Sequence, residues 1–132
     1  MAMTDPIADT LARIRNAQMR RHSYVDCLSS RFIESVLIVF KDEGYIERLE
    51  KMTSPSGKPI LRVTLRYHAG RGVIQKMWRV SRPGRRVYRN TRSLGSVAGG
   101  WGTYVISTSR GVMPGRQAFA DGVGGEVVCA VL

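Results

Sequence analysis

Residues 106–113, ISTSRGVM, place three hydroxyl side chains side by side, Ser107, Thr108 and Ser109, between an apolar run and the basic turn Arg110-Gly111. Hydroxyls in a row either act as nucleophiles or hydrogen-bond to something large and polar. A serine nucleophile needs an imidazole base that a carboxylate orients. The chain has 2 histidines, His22 and His68, and neither belongs to a recognisable acidic motif. The glycine two residues ahead of the serine, which a nucleophile elbow requires, is missing. Beyond residue 70 the only carboxylates are Asp121 and Glu126, a thin supply for acid–base work. No Walker loop occurs, and neither GGWG nor GVGG completes a GxGxxG fingerprint. Cys27 and Cys129 stand far apart with no CxxC spacing, and zinc needs four clustered N or S ligands. Catalysis, a metal site and a cofactor are therefore not expected, and each cysteine reads as a small buried hydrophobe.

Charge favours the binding alternative. The chain carries 21 Lys and Arg against 10 Asp and Glu, a net +11. Between Lys51 and Ala120 there are 14 basic residues and no acid. A surface without a partner intersperses both signs, so this stretch is expected to face a polyanion. Composition leaves RNA, DNA and anionic lipid all open. Against a nucleic acid, hydroxyls and the amides of a tight turn donate to phosphate or accept from base edges and ribose 2′-hydroxyls. Arg110 adds charge, and Gly111 permits close approach of the backbone. The same run also reads as an edge strand ending in a Ser/Thr-capped turn. Tyr88, between Arg85-Arg86 and Arg89, is placed either to stack on a base or to pack in the core. Glu126 would accept from a base amino group, or brace the hydroxyl loop through its amides or Arg110. The turn SRPGRR, with Arg85 at its tip, suits phosphate contact rather than base reading. Trp78 and Trp101 read as packing residues.

The elements that would carry these residues follow from periodicity and punctuation. Thr4-Asp5-Pro6 opens a helix whose apolar face is Ile7, Leu11, Ile14 and Ala17 or Gln18, fading at Arg20-Arg21-His22. A short strand SYVDC follows. Ser29 or Ser30 then caps a second helix with Phe32, Ile33, Val36, Leu37 and Phe40 inward, ended by Gly44. YIERLEKM and PILRVTLRY form strands around the turn TSPSGK. After HAGRG come VIQKMWRV, the SRPG turn, RRVYR, a Gly- and Ser-rich stretch with one helical turn near 94–97, the strand TYVIS, a short helix PGRQAFA ended by Gly122, and a closing strand GGEVVCAVL. The fold class is α+β in two small modules: residues 1–67 an N-terminal α-β-α-β-β unit, 68–72 a linker, and 73–132 a strand-rich C-terminal module with a short helix, the module expected to face the polyanion. The longest apolar run, SVLIVF, is too short for a membrane span, and the N-terminus lacks the layout of a secretory signal. No membrane partner is expected.

The segments TDPIADTLARIRNAQ, EGYI, RVSRPGRRVY, STSRGVM and GVGGEV, in that order and spacing, resemble the bacterial-type small-subunit ribosomal protein S-eight family. The likeness runs from Thr4 to Val131. It implies two α+β modules and a structural constituent of the small ribosomal subunit, a primary binder of the central domain of small-subunit ribosomal RNA that helps platform assembly. Partners would be that RNA, neighbouring small-subunit proteins and, as in many bacterial members that repress their own translation, its own messenger RNA. The location implied is a ribosome, in the bacterial cytoplasm or an organelle matrix. Carried over by position, Ser107, Thr108 and Ser109 would meet bases and backbone of a distorted RNA helix, with Arg110 beside them. Glu126, two residues after Gly124 in the GVGGEV segment, would brace the loop, and Tyr88 with Arg86 would line the same face. Thr4, Asp5, Arg13 and Asn16 would touch RNA along the first helix. Gly95, Arg92-Ser93, Trp101, Tyr104 and Pro114-Gly115 depart from the family pattern, which suggests a diverged lineage and a later start for the short helix. A rival of another class is a translational repressor or nucleic-acid chaperone working off the ribosome.

Overall fold

A computed structural model of the chain describes residues 5–90 and 102–132, so Thr4, the stretch around 92–97 and Trp101 lie outside the described residues. Two compact units emerge: residues 6–74, and residues 75–132 together with Asp5.

In the first unit, helix α1 (Pro6–Met19) buries Ile7, Thr10, Leu11, Ile14 and Ala17, one stripe at helical spacing. Strand β1 (Tyr24–Leu28) leads to α2 (Arg31–Asp42), which Ser30 caps by accepting from the Ile33 N–H at 3.1 Å. The buried stripe of α2 is Ile33, Val36, Leu37, Val39 and Phe40. Phe32, expected inward, sits at the edge of that stripe in the opening turn and is 39% exposed. Strands β2 (Ile46–Thr53) and β3 (Pro59–Leu65) complete an antiparallel sheet ordered β1-β3-β2. The expected α-β-α-β-β order is the observed one.

Central β3 alternates buried Leu61, Val63 and Leu65 with outward side chains. One of these, Arg62, faces Asp26 across the ladder and holds it with two parallel bonds, Nε to Oδ1 at 2.8 Å and Nη2 to Oδ2 at 3.0 Å. Its guanidinium also lies over the Tyr24 ring, 4.1 Å from the centroid. The hydrogen bonds from Arg62 hold the Asp26 carboxyl below its ordinary 3.8, against the opposing effect of burial. A depressed carboxyl contributes stability that is present above its ordinary value and lost as pH falls through the lowered one. The melting temperature of the wild type is thus expected to exceed that of Asp26→Asn at about pH 6, with the gap closing below about pH 4. A gap that stays constant down to the acid transition would contradict this.

Residues 67–72, read from sequence as a connection after Tyr67, form a hairpin of β4 (Tyr67–His68) and β5 (Arg71–Gly72). Ala69 and Gly70 make its turn, both left-handed at φ 52 and 78.

The second unit contains β6 (Met77–Arg79), β7 (Tyr88–Arg89), β8 (Thr103–Thr108), β9 (Gly111–Pro114), α3 (Gly115–Asp121) and β10 (Gly125–Val131). The sheet runs β6-β10-β8-β9, with β7 also pairing β10. Its buried cluster of Ile106, Ala118 and Val127 is packed by Val80, Tyr104, Met113 and Val123. The strands expected from VIQKMWRV and RRVYR are shorter than those runs, and β9 has no counterpart in the sequence reading. Helix α3 begins at Gly115, directly after Pro114. Cys27 and Cys129 are buried and free, and burial pushes their thiols up to about 11 and about 12. Among the described residues no helix is long and apolar enough to cross a membrane.

Candidate nucleic-acid interface

The hydroxyl run is the tip of a hairpin. Strands β8 and β9 pair as far as Thr108 opposite Gly111, leaving Ser109 and Arg110 as a two-residue turn. Gly111, at φ 118, takes a backbone conformation that other residues avoid. Thr108 is spent on the turn itself: its hydroxyl donates to the Gly111 carbonyl at 2.8 Å and accepts from the Arg110 N–H at 3.1 Å. Its hydroxyl therefore holds the turn, with one lone pair left over. Ser109 is exposed and Ser107 half-buried, and among the described residues neither hydroxyl has a partner. The three hydroxyls that looked alike in sequence divide into two available groups and one brace.

Across the sheet, Ser107 of β8 lies opposite Glu126 of β10, and Glu126 lies opposite Tyr88 of β7. Residues directly opposite on antiparallel strands project from the same face. Tyr88, Glu126 and Ser107 therefore form one row over three strands, on the face away from Ile106 and Val127. Tyr88 is 65% exposed, a surface ring rather than core. The Glu126 side chain accepts from Arg86 Nη1 at 3.1 Å, not from Arg110 or the amides of the hydroxyl turn. Its brace to that turn is the β10–β8 backbone ladder.

Two backbone devices fix the row. Gly124 and Gly125 enter β10 where a side chain cannot fit: a methyl group on Gly125 would overlap the Ser107 carbonyl oxygen, and one on Gly124 would press on the backbone of Arg89 and Asn90. The second device is Ser81, which sequence reading missed. Fully buried, it accepts from the Val87 N–H at 2.8 Å and donates back to the Val87 carbonyl at 3.3 Å. Its own N–H bonds the Val127 carbonyl at 3.0 Å. That clamp closes the loop in which Arg82 and Arg85 exchange backbone bonds, both 2.9 Å, around Pro83-Gly84. The exposed side chains of Arg82, Arg85, Arg86 and Arg89 are thus carried beside the row. A serine directly before a Pro-Gly turn was the available signal.

The remaining expected residues are not in this row. The Asp5 carboxylate meets Arg79 Nε at 3.1 and 3.2 Å, and the two side chains are only 18% and 9% exposed. Arg13 and Asn16 are exposed on α1, in the other unit, one helical turn apart. Arg13 is paired with Asp9 at 3.0 Å, and the hydrogen bond to that carboxylate raises the Arg13 pKa.

The ribosomal protein S8 family model matches residues 5–132. The chain belongs to the ribosomal protein S8 family. It is 50% identical over 131 residues to a small ribosomal subunit protein uS8 of Bordetella avium (strain 197N), with 99% of both chains covered. The same name is carried by relatives in Acidovorax sp. (strain JS42), at 51% identity, and Nitrosospira multiformis (strain ATCC 25196 / NCIMB 11849 / C 71), at 48%, each covering 99% of both chains. Members of this family are structural ribosomal proteins and not enzymes, and the same holds for this chain. No catalytic role is therefore assigned to the hydroxyls of Ser107 and Ser109.

Proposed function

We propose that the chain is a constituent of the small ribosomal subunit that binds the central domain of small-subunit ribosomal RNA and helps build the platform. One observation carries the reading: a row of Tyr88, Glu126 and Ser107, held on a rigid sheet, ends in a turn whose Ser109 hydroxyl is exposed and unpartnered. A fixed row of hydrogen-bonding groups, two hydroxyls flanking an Arg-paired carboxylate, reads shape and base edges in a distorted RNA helix, while arginines around it supply affinity without choice. Gly124 lets the backbone come close, Arg110 and Arg85 meet phosphate, and Arg86 holds Glu126 in its orientation. Thr4, Asp5, Arg13 and Asn16 would add contacts from the start of the chain. Neighbouring small-subunit proteins, and its own messenger RNA where that carries a similar fold, are the further partners. Uniformly bacterial names among the relatives cited support a bacterial ribosome as the location.

The deciding measurement is binding to a central-domain transcript against a random RNA duplex. Ser109→Ala is expected to weaken the transcript about tenfold and leave the duplex unchanged, the loss of one specific hydrogen bond being worth about 1–2 kcal/mol. Arg85→Ala should weaken both alike. Equal losses for Ser109→Ala on the two RNAs would end the recognition reading. Sedimentation separates the ribosomal role from that of a free repressor: a subunit protein stays with small subunits at moderate salt.

A further inference from the structure

The end of α1 and the β4–β5 hairpin bring a second group of cations together, on the first unit. Tyr67 donates its phenol to the His22 carbonyl at 2.6 Å, and Gln18 Nε2 donates to the Ile74 carbonyl at 2.7 Å. Gly72 lies so close to the Gln18 side chain that a methyl group there would overlap it. His68 and Arg71 face each other in the hairpin register. Burial raises the Tyr67 pKa, and the Arg21 charge opposes the rise. Arg20, Arg21, His22, His68 and Arg71 are all exposed.

Two features mark this corner, the first shared with Arg31 of α2, which also lacks a carboxylate partner among the described residues. Arg13, Arg48, Arg62 and Arg66 of the same unit each have a carboxylate partner. Among the described residues none pairs with Arg20, Arg21 or Arg71. The backbone at Arg21 is also unusual. The His22 N–H bonds the Ala17 carbonyl at 2.9 Å and the Arg21 N–H bonds that of Gln18 at 3.0 Å, a helix ending that favours glycine at the left-handed position. Arg21 occupies it at φ 57. A charged side chain therefore stands where the fold by itself prefers none.

We propose that this corner is a second RNA-contact site that takes phosphates of an RNA backbone without regard to sequence, Arg20, Arg21 and Arg71 being its phosphate ligands. The inference rests on the RNA-binding reading for its choice of polyanion, and it is separate from the hydroxyl row. Three unpaired guanidiniums on one helix end and one adjoining hairpin can each neutralise a phosphate, and His22 and His68 add donors at the rim.

Salt titration of the full-length chain tests it, on the central-domain transcript and on a random-sequence RNA duplex. Combining Arg20→Gln, Arg21→Gly and Arg71→Gln should lower the slope of log affinity against log salt by about three on both RNAs, and affinity at about 0.15 M salt on the order of a hundredfold. Arg21→Gly alone should melt at or above the wild-type temperature while lowering the slope by about one, and Arg21→Lys should restore it. Arg71→Gln, which leaves the helix ending intact, should also lower it by about one. Unchanged slopes would overturn the proposal, as would variants that lose phosphatidylserine vesicles yet keep RNA. A wild type that binds both RNAs equally would sink the recognition reading alone, and one that binds neither would sink both.

Discussion

Gly125→Ala is expected to disable the interface more completely than removing any of its contact side chains. The added methyl group would occupy the position of the Ser107 carbonyl oxygen. A backbone atom cannot swing aside as a side chain can, so β10 and β8 must separate where Glu126 pairs with Ser107. Overpacking against flexible neighbours costs about 1–3 kcal/mol, and this substitution belongs at or above the upper end. Tyr88, Glu126 and Ser107 would no longer share a row, so selective binding of the central-domain transcript should vanish. Hydrogen exchange locates the damage: protection should fall across β8 and β10 and persist in β1, β2 and β3. A variant with wild-type affinity and wild-type protection would show that the close approach is not needed.

Arg79→Ala is the second large effect. Besides its bonds to Asp5, Arg79 donates through Nη1 to the Val128 carbonyl. Val128 sits at the bulge where the β10–β8 register shifts, and the same carbonyl accepts from the Val80 N–H at 3.1 Å. Arg79 therefore adds a second donor to a carbonyl at the irregularity and helps hold it in place. Truncating Arg79 takes the guanidinium away from the Asp5 carboxylate, which is only 18% exposed, and removes a bond beside the bulge. Breaking a buried pair from one side typically costs about 3–5 kcal/mol, and the partial exposure of Asp5 puts the expected loss near about 3 kcal/mol. Urea unfolding would read it as a lower midpoint at unchanged slope. Asp5→Asn should lose less, since an amide oxygen still accepts from the guanidinium. Equal stability of Arg79→Ala and wild type would remove Arg79 from the account.

Much of the first unit was legible because its signals are local. The apolar stripe of α1, the Ser30 cap, the Gly44 ending and the alternation of β3 each depend on residues a few positions apart. The buried residues of the helices follow that periodicity, and Phe32 departs from it only at the edge of a stripe. The second unit was harder. Its strands β6, β7 and β9 are 3, 2 and 4 residues long, too short for any period to register. They exist because β10 and β8 offer backbone partners, a nonlocal cause. Tyr88 shows the same limit: its position in the RRVYR run allowed either core or surface, and pairing with Glu126 decided for surface.

What the sequence determined alone is the family and the lack of a recognisable catalytic constellation, together with a cation-rich half. A stretch free of acid, a row of hydroxyls without base or carboxylate, and the glycine-bearing motifs that define the family are all properties of composition and order. Tertiary structure decided which of those residues act together. It bonded Thr108 within the turn and left the Ser107 and Ser109 hydroxyls without partners, and it paired Glu126 with Arg86 and Asp5 with Arg79. Those allocations turn on distances between residues tens of positions apart, which chain order does not encode and only packing and strand register can fix.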